Sequence, residues 1–185
     1  MRTRHLLFVV LSLILSQEAL ALSHEFIVRG RAGAFTSSAS APVEVKGIGL
    51  LGEGALEYLF NKNLGFEVAA GYGIVKIGST GGKAKRSAYI PLTATAKFTL
   101  PIYEQYYPYI GLGYRYGIIG SVPSGVSLSN KGGIIVKIGT DIYFEKTNTT
   151  SQPIGMNIEV TQNLAKSGQC SIAKTTALIG VTVPI

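Results

Sequence analysis

Residues 88 to 100 read Ala-Tyr-Ile-Pro-Leu-Thr-Ala-Thr-Ala-Lys-Phe-Thr-Leu, so Ile90, Leu92, Ala94, Ala96, Phe98 and Leu100 alternate with Tyr89, Pro91, Thr93, Thr95, Lys97 and Thr99. A period of two places those sets on opposite faces of one β-strand. Related alternation recurs over 25–35, 47–60, 64–78, 108–120, 133–145, 154–165 and 171–185. With 88–100 this predicts eight strands, each long enough for the roughly 9 to 11 residues that a tilted strand needs to cross a bilayer. Turn residues separate them: Asn61-Lys62-Asn63, Gly81-Gly82 within Ser79 to Ser87, Pro101, Pro123 to Gly125, Asn130 to Gly133, and Asn148 to Pro153. The competing helix is Gly47 to Phe60, with Leu51, Ala55, Leu56 and Leu59 as its stripe. Its four glycines at 47, 49, 52 and 54 would each cost about 1 kcal/mol relative to alanine. Tyr58, Phe60, Leu64 and Phe66 flank the Asn-Lys-Asn turn as a hairpin would, which favours strand.

Sorting each strand by parity separates grease from charge. One face collects residues such as Phe26, Val28, Leu56, Val68, Ile110, Leu112, Ile138, Ile158, Val160, Ile179 and Val181. The other holds Arg29, Arg31, Lys97, Arg115, Lys137 and Lys174 together with Glu53, Glu57, Glu67, Asp141, Glu145 and Glu159. Six bases facing six acids suit a narrow lumen, where each unpaired charge would be costly to desolvate. The expected fold is therefore all-β, an eight-stranded antiparallel up-and-down transmembrane barrel with oily side chains outward. A soluble lipocalin-like carrier would use the same alternation the other way round, with large apolar residues inside.

Aromatic residues gather near strand ends. Tyr58, Phe60, Phe66, Phe98, Tyr103, Tyr106, Tyr107, Tyr109, Tyr143 and Phe144 fall near one predicted rim, and Tyr72, Tyr89 and Tyr116 approach the other. Such clustering predicts an interfacial girdle.

The start of the chain adds a compartment. Arg2, Arg4 and His5 precede an apolar run from Leu6 to Leu15, and Ala19-Leu20-Ala21 offers a cleavage site. This is the pattern of a secretory signal peptide over 1–21, leaving one barrel domain over 22–185. Ser12, Ser16, Gln17 and Glu18 interrupt the run well short of the about 20 residues a spanning helix needs. Hydrophobic residues make up 46% of the chain and mean hydropathy is +0.31. No later stretch is long enough for a membrane helix, so insertion would use strands.

The formal charge is +7, and without Arg2, Arg4 and Glu18 the chain keeps 15 bases and 9 acids. A basic excess can signal nucleic acid, but these bases are scattered along strands. The tight cluster Lys83, Lys85 and Arg86 sits in a Gly-rich loop, where anionic lipid headgroups are the simpler partner. Cys170, the single cysteine, has no internal partner for a disulfide and reads as a free loop thiol.

Catalytic chemistry is poorly represented. His24 is the one histidine after the leader, at the very start of the mature chain, which argues against a Ser-His-Asp hydrolase or a histidine metal site. Glu53 and Glu57 read as lumen ion-pair partners, and Gly111-Leu-Gly113 lacks the third glycine of a dinucleotide fingerprint. The protein is expected to be non-enzymatic, with no cofactor and no metal.

Ile90-Pro-Leu-Thr-Ala-Thr-Ala-Lys-Phe98 and Pro108-Tyr-Ile-Gly-Leu-Gly-Tyr-Arg-Tyr116 resemble the central hairpin of the outer-membrane protein W family. The stretch Tyr58 to Ala70 resembles that family's second and third strands. Opacity-type surface barrels share the Pro-Tyr-Ile-Gly-Leu-Gly style of strand. The resemblance implies an eight-stranded barrel in the bacterial outer membrane, surrounded by its lipids and lipopolysaccharide and inserted by the barrel-assembly machinery. In the W-like branch it implies a narrow conduit for small hydrophobic solutes; in the opacity-like branch, a surface protein whose loops meet a host ligand. Two departures stand out: the chain has no tryptophan, and it ends Val-Thr-Val-Pro-Ile185 rather than in an aromatic residue. The loops available for display are 36–46, 79–87, 121–132 and 166–170. Eight strands leave an interior just about filled by side chains, which favours a plugged, interaction-type barrel.

Overall fold

A strand with one oily face still carries a row of backbone donors and acceptors along each edge, and in hydrocarbon these groups find no water. The chain removes both edges by closing on itself. The computed structural model describes residues 26–38, 43–79, 85–100, 102, 105–120, 132–144, 153–164 and 171–185. They form β1 (Phe26–Ser38), β2 (Val43–Leu59), β3 (Leu64–Ser79), β4 (Lys85–Thr99), β5 (Tyr106–Ile119), β6 (Gly132–Tyr143), β7 (Gly155–Asn163) and β8 (Ser171–Pro184). Each strand pairs antiparallel with the next, and β1 pairs with β8 to close the barrel. The stretch weighed as a helix, Gly47 to Phe60, lies mostly within β2. The leader, His24, Tyr103, Glu145 and Cys170 lie outside the described residues.

Facing alternates as the side-chain period requires. Leu112 is 60% exposed and Ile138 62% exposed on the outer surface, whereas Lys137 and Glu67 are fully buried. Apolar side chains therefore ring the outside and ionised ones fill the inside, the reverse of a soluble carrier barrel. At one end, Asn61 holds the β2–β3 turn, its side-chain oxygen accepting from the backbone amides of Asn63 and Leu64 at 2.8 Å each. The start of β1 and the end of β8 lie at this same end, with Phe26 and Ile185 exchanging backbone hydrogen bonds. Three of the seven strand connections fall at this end and four at the opposite one, called here the loop end.

Two irregularities interrupt the ladders near the loop end. The β2–β3 register shifts between Lys46 and Leu50, and the β1–β8 register shifts between Thr36 and Ser38. In the second, four steps along β8 span two along β1, so β8 carries two extra residues, and Ala173 there sits at φ 55°, a left-handed conformation suited to such a bulge. Facing is reversed locally within it. Lys174, expected in the lumen from its parity with Thr176 and Thr182, is consequently turned outward and exposed, while Ala173 is buried.

The outward belt predicts an asymmetry between faces. Leu112→Arg, near the middle of β5, should destabilise the barrel in phospholipid vesicles by about 2–4 kcal/mol, read as a shift in urea unfolding. The same substitution at Ile118, nearer the loop end of β5, should cost markedly less, and equal costs would contradict the membrane placement.

Candidate functional site in the lumen

Inward positions of β1 to β4 and β6 to β7 converge on one carboxylate. Glu67 of β3 receives Lys137 Nζ at 2.7 Å, Arg31 Nη2 at 3.0 Å, Arg29 Nη1 at 3.2 Å and Lys97 Nζ at 3.5 Å. Each of those cations holds a second acid. Arg29 forks onto Asp141, with Nη2 to Oδ2 at 2.6 Å and Nε to Oδ1 at 3.2 Å, and also meets Glu57 at 2.6 Å. Arg31 reaches Glu159 at 2.7 Å and Glu53 at 2.6 Å. Lys97 pairs with Glu57 at 2.8 Å, and Lys137 reaches Glu159 at 3.3 Å. The register sets Glu57 of β2 opposite Glu67 of β3, and Arg29 and Lys97 each reach both carboxylates, so the like charges are neutralised from other strands and each of these desolvated groups keeps an opposite partner.

Neutral residues complete the set. Tyr109 donates its hydroxyl hydrogen to Glu159 at 2.9 Å, and its ring lies 3.7 Å under the Lys97 ammonium. Asn157 donates to Asp141 at 2.7 Å and to the Tyr109 oxygen at 3.1 Å, and Thr161 donates to Glu159 at 3.0 Å. Asn157 and Thr161 carry no charge, so charge sorting passed over them; their odd parity on β7 was the available signal. Tyr109 is a correction: expected in the interfacial girdle, it is buried in the lumen because it shares the inward parity of Arg115. Tyr107 and Tyr143 are corrected likewise. They stand on the inward parity at the chain-terminus end, with ring centroids 5.3 Å apart, and narrow that mouth from inside.

Tyr58, Phe60, Phe66, Phe98, Tyr106 and Phe144 lie on the outer surface. Phe26 stacks on Tyr58 at 5.2 Å, and Tyr58 meets Phe60 edge-on at 5.2 Å. Tyr89, placed by its sequence position near the far rim, is also buried inside.

Toward the loop end the interior changes character. Phe35, Leu51, Val75, Ile77, Tyr89, Ala173 and Leu178 form an apolar cluster, with Ile119 packed against it. Phe35 spans this compartment, 5.5 Å from the Tyr89 ring. Glycines make room for it: a Cβ at Gly49 would overlap the Phe35 ring, and one at Gly73 would come within 3.2 Å of it. Arg115 stands apart from the ionic network. It reaches from β5 to β8, donating Nη1 to Thr176 Oγ1 at 3.0 Å and to the Ala173 carbonyl at 3.2 Å. Among the described residues its Nε and Nη2 have no hydrogen-bond partner although the residue is only 2% exposed. The lumen thus holds an ionic floor and, toward the loop end, an apolar cluster beside a guanidinium that is only partly hydrogen-bonded.

The floor depends on its hub. Glu67→Gln keeps the shape and removes the charge that four cations share. It should cost about 3–5 kcal/mol, the usual penalty for stranding buried charge, measured by urea unfolding in vesicles. Adding Lys137→Met should recover part of that loss, since one stranded cation is then gone.

A sequence model described as the OmpW family matches residues 25–169. Provisionally named outer membrane proteins of Rickettsia are similar over shorter spans. One from Rickettsia bellii is 29% identical over 98 residues, 45% of this chain and 40% of that protein. One from Rickettsia typhi is 28% identical over 149 residues, 71% of this chain and 60% of that protein. The chain thus spans about half the length of the curated relatives it matches. Among solved structures, the outer membrane protein OprG of Pseudomonas aeruginosa aligns with a TM-score of 0.59 at 16% identity, covering 88% of this chain and 96% of that one. Neisserial surface protein A aligns with a TM-score of 0.53 at 17% identity, covering 86% and 96%. At these identities the likeness speaks to fold alone.

Proposed function

The chain belongs to the OmpW family, and from that premise we propose that this outer-membrane barrel is a non-enzymatic, ion-tight conduit for small apolar solutes. The observation that carries the reading is the division of the lumen. A buried apolar cluster lies toward the loop end, and salt bridges joining β1, β2, β3, β4, β6 and β7 lie beneath it. A hydrated ion crossing that floor would have to break several buried pairs at once, each costing kcal/mol that no compensating contact returns. An apolar solute faces no such barrier above the floor, where its transfer from water is favourable. Its natural destination is the surrounding hydrocarbon rather than the compartment beyond the floor. Arg115 adds one donor-rich anchor and suits solutes that carry a small acceptor group on an apolar body.

One observation favours a second reading. Phe35 and Ile77 fill the apolar compartment as it stands, as expected of a plugged barrel that serves as a platform for its loops. The two readings differ in what Phe35 does: a movable side chain in the first, a fixed part of the core in the second.

In planar bilayers the purified protein is expected to give no stepwise conductance in potassium chloride; regular unitary steps would sink the ion-tight reading. In cells, expression should speed uptake of naphthalene over a vector control, and Phe35→Ala should raise it further, by about two-fold or more, at normal surface abundance. Uptake indifferent to both the protein and Phe35→Ala would leave the platform reading in possession.

A further inference from the structure

We infer that the lumen holds, beside Arg115, a binding site for the hydroxyl group of a neutral alcohol or phenol with an apolar body. The inference rests on the conduit reading only for where such molecules go; the site itself follows from orphaned polar atoms. Among the described residues, Arg115 Nε and Nη2, Thr93 Oγ1 and Glu53 Oε2 are buried and make no hydrogen bond. They share one neighbourhood. The register sets Thr93 of β4 directly opposite Arg115 of β5, and Tyr89 lies within electrostatic reach of both the Arg115 guanidinium and the Glu53 carboxylate. Glu53 keeps its other oxygen on Arg31 Nη2, at 2.6 Å. Buried polar groups seldom go without a partner, so this set fits a molecule that supplies one.

Charge and polarity select that molecule. The described residues bury five bases and five acids. Arg115 joins none of the ion pairs described above, so the acid in excess within the floor balances it from a distance. A carboxylate or phosphate drawn to Arg115 would leave the interior with an uncompensated negative charge, which is costly away from water. A hydrocarbon would leave every orphaned atom as it is. A hydroxyl does both things the site lacks: its oxygen accepts from Arg115, and its hydrogen goes to Glu53 Oε2 or Thr93 Oγ1. A ketone or ester accepts alone and satisfies one side.

Room for the apolar body lies on the same wall. Gly71 and Gly73 of β3 stand opposite Glu53 and Leu51, and Gly117 of β5 stands opposite Pro91, so the inner surface there is mostly backbone. What covers it can turn aside. A Cβ on Gly71 would lie 2.9 Å from Leu51 Cδ1, and one on Gly73 would lie 3.2 Å from the Phe35 ring. Rotamer changes of those two side chains therefore clear the ground without moving a strand.

Three molecules with a shared methylphenyl body test the inference: p-cresol with a hydroxyl, toluene with none and p-toluate with a carboxylate. The isotope-labelled full chain, folded in detergent, reports occupancy through the Leu51 methyl signals and hydrogen bonding through the Arg115 Nε–H signal in NMR spectra. Compared at equal content in the micelle, p-cresol should bind about ten-fold more tightly than toluene, the worth of one hydrogen bond to a charged group. It should also move the Arg115 signal and outbind p-toluate. Arg115→Met should abolish the preference for p-cresol over toluene. Thr93→Val, which has no hydrogen bond to lose, should reduce that preference, and Phe35→Ala should tighten both ligands while keeping it. Binding of p-toluate as tight as that of p-cresol would overturn the proposal. So would an Arg115 signal that ignores p-cresol while Leu51 responds, since water would then be the partner of the orphaned atoms. Cresol-selective binding without naphthalene uptake in cells would sink the conduit and keep the site; uptake with binding blind to the hydroxyl would do the reverse.

Discussion

Charge inside a narrow cylinder must be neutralised locally, and this requirement organises the barrel. Glu67 meets it at the centre by accepting from four cations on three strands: Arg29 and Arg31 of β1, Lys97 of β4 and Lys137 of β6. Those strands are not all neighbours in the ladder, so the ion pairs tie opposite walls together across the lumen. Backbone hydrogen bonds fix each strand to the next; the Glu67 hub fixes distance through the interior. Arg29 extends the same logic to Glu57 and Asp141, and Arg31 to Glu53 and Glu159. Aromatic and amide side chains then take up part of the remaining hydrogen-bonding capacity, as Tyr109 and Asn157 do around Glu159 and Asp141.

Much of this was legible in the chain because strand facing has an exact period of two. Parity alone sorted Arg29, Glu53, Glu57, Glu67, Lys97, Lys137, Asp141 and Glu159 to the inside. It also sorted Leu112 and Ile138 to the outside. What parity could not report is a break in its own count. The bulge opposite Thr36–Ser38 inserts two residues into β8, and their presence depends on how β1 and β8 meet, strands separated by most of the sequence. Lys174 was misplaced for that reason. Tyr109 was misplaced for another: aromatic clustering along the sequence was given more weight than facing, and facing decides. The apolar compartment was missed because charge was the marker used to find the lumen, and Phe35, Leu51, Val75 and Ile77 carry none.

The two halves of the interior place different demands on solutes. Ionised pairs resist disruption because each partner, once stranded, faces a low-dielectric surround. The apolar half is held by packing, and side chains such as Phe35 can move if the volume they vacate is refilled by something equally apolar. On the conduit reading proposed above, selectivity between ions and apolar molecules would follow from the material of each half without a dedicated filter. The unpaired Nε and Nη2 of Arg115 lie at the boundary between them, where a polar group on an otherwise apolar solute would come to rest.

Stability alone does not account for filling the floor with charge, since buried ion pairs are often no better than well-packed apolar residues of similar volume. In a membrane barrel an apolar floor would bring a further cost. A strand greasy on both faces carries no instruction about which face meets lipid, and a one-residue slip would exchange the two at little penalty. Arg29 and Arg31 of β1 and Glu53 and Glu57 of β2 make that slip expensive, because either misregistered strand would present two charges to acyl chains. Nearer the loop end, where inward residues become apolar, this safeguard weakens, and there the chain relies on shape. The Phe35 ring excludes a side chain at position 49, and at position 73 the Leu50 carbonyl does so with the ring close by, so a displaced β2 would meet the ring with a side chain and be refused. Facing is thus written electrostatically in one half of the wall and sterically in the other. The region where the steric code operates is also the region with both register shifts, because shape tolerates an inserted residue at the rim that buried charge in the middle would not.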